Sequence, residues 1–244
     1  MKVTLHKQVK YFEVDTAFKL KLGHLFRLLQ EAAIEHSEQV GLGSKTLVDG
    51  GSVWVLNRVE AEILRYPEYL EALTLVTWHK GSKGYRAYRD FILYAGDEKI
   101  ATAASMWLYV DTQRRRIIRI PEDVSAAYTS EAESAMDNRF DTWKADTRFT
   151  PAFSKPISVR TSDYDPLGHV NNAVYLDYVE TLATHALENF SGIGRLIVEF
   201  KKELGQDVEA VEAGLAEATN GYVFKIFNQD TVYAAGELTL NSTF

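Results

Sequence analysis

The 244-residue chain contains no cysteine. That removes a disulfide framework, a thiol nucleophile and any thiolate metal site. Long apolar runs are missing too: none approaches the roughly 18–20 residues a membrane helix needs. The opening MKVTLHKQVKYFEVD has no apolar stretch of the kind a secretory signal carries, so a cytoplasmic location is expected. Without such a signal, the triplets N-F-S and N-S-T carry no glycosylation meaning. A basic excess is also lacking. The net charge of −7 opposes a general nucleic-acid binder, which needs a dominant positive surface. The six histidines form no H-E-x-x-H and no cluster with carboxylates at ligand spacing, so neither metal nor cofactor is expected. No serine sits in a G-x-S-x-G elbow. GLGSK at 41–45 lacks phosphate-loop spacing and follows a helical pattern, which makes it a helix stop.

What remains is ordinary globular material. Hydrophobic residues at 46% and charged residues at 25% allow a sizeable core. Residues 8–15 read as a strand, followed by a helix over roughly Leu20–Val40. Its stripe is Leu22, Leu25, Leu29, Ala32 and Ala33, and Gly41 and Gly43 supply the stop. Four strand-like runs follow, SVWVLNRVEAEILRY, ALTLVTWHKG, YRAYRDFILYAG and KIATAASMWLYVD, with a hairpin turn expected at AGDEK. His24 and His36 fall within the helix pattern and read as packing or surface residues.

The order then restarts. KPISVRTSDYD reads as a strand, and Val174, Tyr178, Leu182, Ala186 and Phe190 form a helical stripe. Strand runs return at GRLIVEFKKEL, DVEAVEAGLAEAT, YVFKIFNQ and TVYAAGELTLN. QEAA at 30–33 and ETLA at 180–183 occupy matching places in the two helices. The repeat implies an α+β fold built twice, each half a long central helix wrapped by an antiparallel sheet. The expected halves are 1–120 and 156–244. The polar stretch 121–155 joins them as a linker over the surface, with one short helix in it.

One run stands apart. SDYDPLGHVNNAVYLDYVE, residues 162–180, places Asp163, Asp165, His169, Asn171 and Asn172 just ahead of the second helix. Such groups are costly near a core unless each finds a partner. A plain helix cap accounts for one asparagine and one aspartate, not for His169. A helix start also offers unpaired amides and a positive dipole end, where a carbonyl oxygen could become an oxyanion. Asp165 and His169 beside it could handle protons. VEFKKELGQD at 198–207 reads as strand and carries Glu199 and Glu203, which alternation puts on one face. The matching place in the first half, around Ile63–Arg65, has no carboxylate, so only the second half holds the chemistry.

With LLQEAAIEH, VWVLNRVEAEILRYP, YRAYRDFIL, ASMWLYVDTQRRRIIRIPEDV, HVNNAVYLDYVE and EFKKELGQD in that order, the sequence resembles the acyl-ACP thioesterase family over nearly its whole length. The resemblance implies a double hotdog fold and hydrolysis of fatty acyl-ACP, with an acyl pocket in the first half and catalysis in the second. It places the family's catalytic aspartate, histidine and glutamate on Asp165, His169 and Glu203. The residue after the glutamate, often cysteine in the plant enzymes, is Leu204, and the asparagine of the plant D-x-N-x-H pattern is Leu167. Substrate contacts are expected from Gly168, Asn171 and Asn172, with Trp54, Leu29 and Met106 near the acyl pocket. Backbone amides near Gly168 and His169 are expected to hold the oxyanion. The partner implied is acyl carrier protein with its phosphopantetheine-linked chain, docking on Arg114, Arg115, Arg116, Arg119, Lys201 and Lys202. Two copies of the chain could pair as a homodimer. DPLGHVNN is also close to single-hotdog acyl-CoA thioesterases, so CoA stands as the other carrier. A non-catalytic acyl-binding module is the alternative outside enzymes.

Overall fold

The computed structural model describes residues 1–188 and 190–241. Asn189 of the first N-x-S triplet and residues 242–244 lie outside them. No helix among the described residues is long and apolar enough to cross a membrane.

The strands form one continuous antiparallel sheet in the order β1-β3-β4-β5-β2-β8-β11-β10-β9-β7. In the first half these are β1 (Lys2–Gln8), β2 (Ser52–Ile63), β3 (Ala72–Lys83), β4 (Arg86–Ala95) and β5 (Glu98–Asp111). The second half repeats them as β7 (Phe153–Ser158), β8 (Ile193–Phe200), β9 (Ala210–Ala218), β10 (Gly221–Asn228) and β11 (Thr231–Leu240). A short β6 (Arg116–Ile117) pairs with β5 and has no counterpart. The halves join edge to edge: Arg58 pairs with Glu199, and Glu62 with Arg195. Arg58 and Glu62 are four residues apart on one strand, and Arg195 and Glu199 four apart on the other. A pseudo-twofold therefore passes through the Glu60–Ile197 pair. Joining at β2 and β8 leaves neither of these strands as an open edge.

Two long helices, α1 (Leu22–Gln39) and α4 (Asn172–Ala186), lie against one face of this sheet. The stripe of α1 is buried as its spacing requires, with Leu22, Leu25, Leu28, Leu29, Ala32 and Ala33 in the core. Each large side chain so buried contributes about 1.5–3 kcal/mol. The helices run antiparallel across the pseudo-twofold. Arg27 pairs with Asp177, its own counterpart, at 2.6 Å. Gly23 permits the close approach, since a Cβ there would fall 1.8 Å from the Asp177 carboxylate. Helix-wrapped sheets repeated in this way are the expected double hotdog. Two short helices, α2 (Ser44–Asp49) and α3 (Glu122–Ala127), complete the first half.

Four expectations change. Residues 8–15 are not a strand; β1 ends at Gln8, and Tyr11–Glu13 form a single 3₁₀ turn. Likewise β7 ends at Ser158, and Thr161–Asp163 form the matching turn. In each turn an acid closes the chain on itself: Glu13 accepts from the Lys10 amide, and Asp163 from the Arg160 amide. β8 stops at Phe200, so Glu199 and Glu203 do not share a strand face. Finally, the linker is no loose surface connection. Phe140 and Trp143 are buried with Ala104, Met106 and Ile197 on the outer face of the sheet.

Candidate active site

The loop before α4 is built by Asp165. Its carboxylate accepts the Leu167 amide at 2.9 Å and the His169 amide at 3.4 Å, and its carbonyl accepts the Gly168 amide at 3.0 Å. Gly168 has a φ of +80°, a conformation that suits glycine. Val170 donates to the Leu204 carbonyl at 2.9 Å, which draws segment 201–204 across the loop. That crossing, not strand alternation, brings Glu203 to His169: Oε2 lies 3.2 Å from Nε2. Arg115, from the β5–β6 turn, reaches the same oxygen at 3.3 Å. Glu199 is occupied elsewhere, paired with Arg58 at 3.0 Å and Lys201 at 3.3 Å.

The first half supplies an internal reference. Asp15 accepts the amides of Ala17 and Lys19 at 2.8 and 2.9 Å, as Asp165 does those of Leu167 and His169. Leu20 donates to Pro67 as Val170 does to Leu204. Lys19 therefore stands where His169 stands, and Tyr66 where Glu203 stands. The true counterpart of the glutamate is thus one residue beyond the stretch Ile63–Arg65.

The two helix starts differ in one respect. In the first half, the Leu22 amide donates to a carboxylate oxygen of Glu180 from α4, at 3.0 Å. Glu180 is half-buried, and burial pushes its carboxyl up to about 7, against the lowering effect of the Leu22 bond; Asp177 and Asp15 add to the rise. In the second half, the corresponding amide belongs to Asn172, and among the described residues it has no acceptor. The residue corresponding to Glu180 is the neutral Gln30. A glutamate carboxyl oxygen thus fills one helix start, and the amide at the other, three residues after His169, has no acceptor among the described residues.

The expected amide donors also change. Gly168 and His169 direct their N–H groups to Asp165, and Asn171 directs its own to the Asp163 carbonyl. The Asn171 side chain caps α4 by accepting from Ala173 at 2.9 Å. Asn172 supplies the open amide, and its side chain reaches the Leu56 carbonyl at 3.4 Å.

Two crevices meet at this helix start. A polar one of about 310 Å³ is lined by Arg27, Gln30, Glu31, Asp165, Pro166 and Asn171. An apolar one runs between α1 and the first half of the sheet, past Leu29, Leu56, Val59, Phe91, Ser105 and Trp107. It encloses about 20 Å³, room for about one water, so a chain would enter by parting these side chains. Gln30 lines both and Asn172 lines the apolar one. Of the residues expected near an acyl pocket, Leu29 lies on the crevice. Met106 faces the opposite side of β5, against Phe140 and Trp143, because strand alternation turns Ser105 and Trp107 inward. Trp54 packs instead on Tyr109 and Tyr128.

The basic residues divide similarly. Arg114 is tied to Asp111 at 2.8 Å, Arg115 to Glu203 and Lys201 to Glu199. Arg116, Arg119 and Lys202 are exposed. Gln30 and the Asn172 amide were not among the expected catalytic groups. The available signal was the match of QEAA to ETLA, which sets Gln30 opposite Glu180. No group of three or more potential metal ligands occurs among the described residues.

Comparison with known proteins identifies the family and the fold. The family models for the acyl-ACP thioesterase N-terminal and C-terminal domains match residues 2–128 and 147–239. The chain is 27% identical over 221 residues to a chloroplastic oleoyl-acyl carrier protein thioesterase of Coriandrum sativum, covering 82% of this chain and 58% of that protein. A chloroplastic palmitoyl-acyl carrier protein thioesterase of Gossypium hirsutum is 24% identical over 212 residues, covering 82% and 51%. The chain thus spans little more than half the length of these relatives. Among solved structures, a putative oleoyl thioesterase from Lactobacillus plantarum superposes with a TM-score of 0.84 at 24% identity, covering 100% of this chain and 98% of that one. The 12:0-ACP thioesterase from Umbellularia californica gives 0.85 at 17% identity, covering 99% and 98%. These superpositions speak to the fold, the tandem hotdog. With family models spanning both halves, the chain belongs to the acyl-ACP thioesterase family.

Proposed function

We propose that the chain hydrolyses acyl-ACP thioesters to free fatty acid and ACP at the start of α4. The observation that supports this most is the contrast between the helix starts. Where Leu22 already holds a carboxylate oxygen, Asn172 presents a free amide at the positive end of a helix, suited to a developing oxyanion. The acyl chain follows the apolar crevice, and the pantetheine arm leaves through the polar one.

In this reading the thioester carbonyl oxygen accepts from the Asn172 amide, with Gln30 beside it. Glu203 takes a proton from water, and His169, 3.2 Å away, orients that carboxylate and relays the proton. The water oxygen bonds to the carbonyl carbon. Collapse of the tetrahedral intermediate breaks the carbon–sulfur bond, and the departing thiolate receives the proton. Asp165 serves chiefly by building the loop that presents His169.

The domains divide the labour, residues 1–120 giving the chain pocket, 156–244 the reacting groups and 121–155 the linker. Arg116, Arg119 and Lys202 offer exposed positive charge for an acidic carrier. The direct test is turnover of matched acyl-ACP and acyl-CoA substrates. Release of free acid from ACP is expected, at a higher kcat/KM than from CoA. A strong CoA preference would transfer the reading to an acyl-CoA thioesterase; binding without release would leave an acyl-binding module.

A further inference from the structure

The sheet face beneath α1 changes chemistry along its strands. Residues aligned across β3, β4, β5 and β2 form tiers: Leu75–Leu93–Ala101–Ile63, then Thr77–Phe91–Ala103–Ala61, then His79–Arg89–Ser105–Val59. The third tier is polar, yet His79, Arg89 and Ser105 are all buried, and His36 of α1 above them has 0% exposure. Arg89 donates to His36 Nδ1 at 2.9 Å and to Thr77 Oγ1 at 3.2 Å. Burial pushes the Arg89 guanidinium down to about 10, and no carboxylate among the described residues offsets it.

The proton on His36 follows from this geometry. An arginine only donates, so Nδ1 accepts, and the neutral ring carries its proton on Nε2. Burial and Arg89 keep the ring neutral by holding its pKa near 4. Nε2 has no partner among the described residues. A desolvated cation without a counter-charge and a donor without an acceptor thus sit side by side, where native interiors seldom leave either uncompensated.

This cluster lies at the end of the apolar crevice. Ser105 belongs to both, Phe91 of the neighbouring tier lines the crevice, and Leu29 lies two helical turns before His36 on α1. A chain entering at Asn172 and crossing β2 and β5 comes next to Arg89 on β4. We propose, on the reading that this crevice takes the acyl chain, that Arg89 and His36 form a specificity site for an oxygen-bearing chain terminus, a carboxylate in first place. A methyl terminus would pack against a guanidinium that has no carboxylate beside it among the described residues and is disfavoured there.

Calorimetric binding tests this without turnover. The probes are the monomethyl ester of a dicarboxylic acid and the methyl ester of the monocarboxylic acid of equal chain length. The half-ester should bind the wild type at least ~10-fold tighter, as a charge-assisted hydrogen bond allows. Arg89→Met should abolish that preference, and His36→Leu should reduce it at least ~3-fold. Equal affinities in the wild type overturn the proposal whether or not either variant folds. So does a preference that survives in both folded variants, since the carboxylate would then be read elsewhere. A chain that prefers the half-ester but releases no acid from acyl-ACP would sink the hydrolase reading and leave this site standing.

Discussion

Asp165 and Asp15 fold their loops through the same pair of amide bonds, yet only one loop precedes a histidine. The aspartate therefore shapes the loop in both halves, whether or not a histidine follows, and this sets what its variants should show. Asp165→Asn keeps the acceptor oxygen and should retain the loop, with turnover within ~10-fold of wild type, below what a positioned acid or base contributes. Asp165→Ala loses the loop's anchor and should cost about 1 kcal/mol of stability as well as rate. Steady-state kinetics beside urea unfolding separate the two; a loss of ~10³-fold in Asp165→Asn would make the carboxylate a direct participant. Glu203→Ala and His169→Ala should each lower kcat at least ~10²-fold, and near-wild-type rates would remove the pair from the mechanism. Leu167→Asn should change little, because the loop uses the Leu167 amide and its side chain is exposed. Residue pattern and resemblance singled out Asp165, His169 and Glu203, and the structure sets His169 beside Glu203 on a loop that Asp165 shapes. The position of Glu203 was not: β8 ends three residues earlier, and a backbone bond from Val170 decides where the glutamate goes.

At the scale of the helices, the two starts form a built-in comparison of an occupied and an open donor. Gln30→Glu would place a carboxylate where Glu180 sits in the first half, against the Asn172 amide. Turnover is expected to fall at least ~10-fold, as for a blocked oxyanion donor, while Gln30→Ala falls less; a Gln30→Glu enzyme at full rate would mean Asn172 is not that donor. Glu180 itself makes stability pH-dependent. Its folded-state pKa, about 7, lies above the ordinary 4.5, so the folded protein holds the proton more tightly than the unfolded chain. This favours folding below pH 4.5 and is lost as pH rises towards 7, at no more than ~1.4 kcal/mol per unit. Glu180→Gln keeps the acceptor for Leu22 and should flatten that slope in urea unfolding between pH 4.5 and 7. An unchanged slope would assign the effect to other groups. Sequence periodicity found both helices and most of their buried stripes, but it ran the second one on to Phe190, whereas α4 ends at Ala186. It could not show that α1 and α4 exchange residues at their starts, because antiparallel packing across a pseudo-twofold is not written in either helix alone.

At the scale of the molecule, charge and connectivity give the remaining expectations. The chain is net negative, so an acidic carrier needs its local positive surface. Arg116→Glu with Arg119→Glu should raise KM for acyl-ACP at low salt and spare a small thioester; equal effects on both would make the patch structural. The repeat itself was readable from element order, but the linker was not, because its anchors are separated by polar residues without period. Arg139 pairs with the fully buried Glu60 of the first half at 3.0 Å and with Glu237 of the second at 3.1 Å. Trp143 donates to Glu237 at 2.7 Å and buries its ring over Met106 and Ile197, one from each half. With β2 paired to β8 beneath this strap, neither half can unfold without exposing the edge and the core of the other. A single cooperative transition is expected in urea. Trp143→Ala should lower stability by about 3 kcal/mol, the low end for a large buried aromatic, since its partners can rehydrate. If the halves were separate units tied by a passive linker, the variant would change little and unfolding would resolve into two steps.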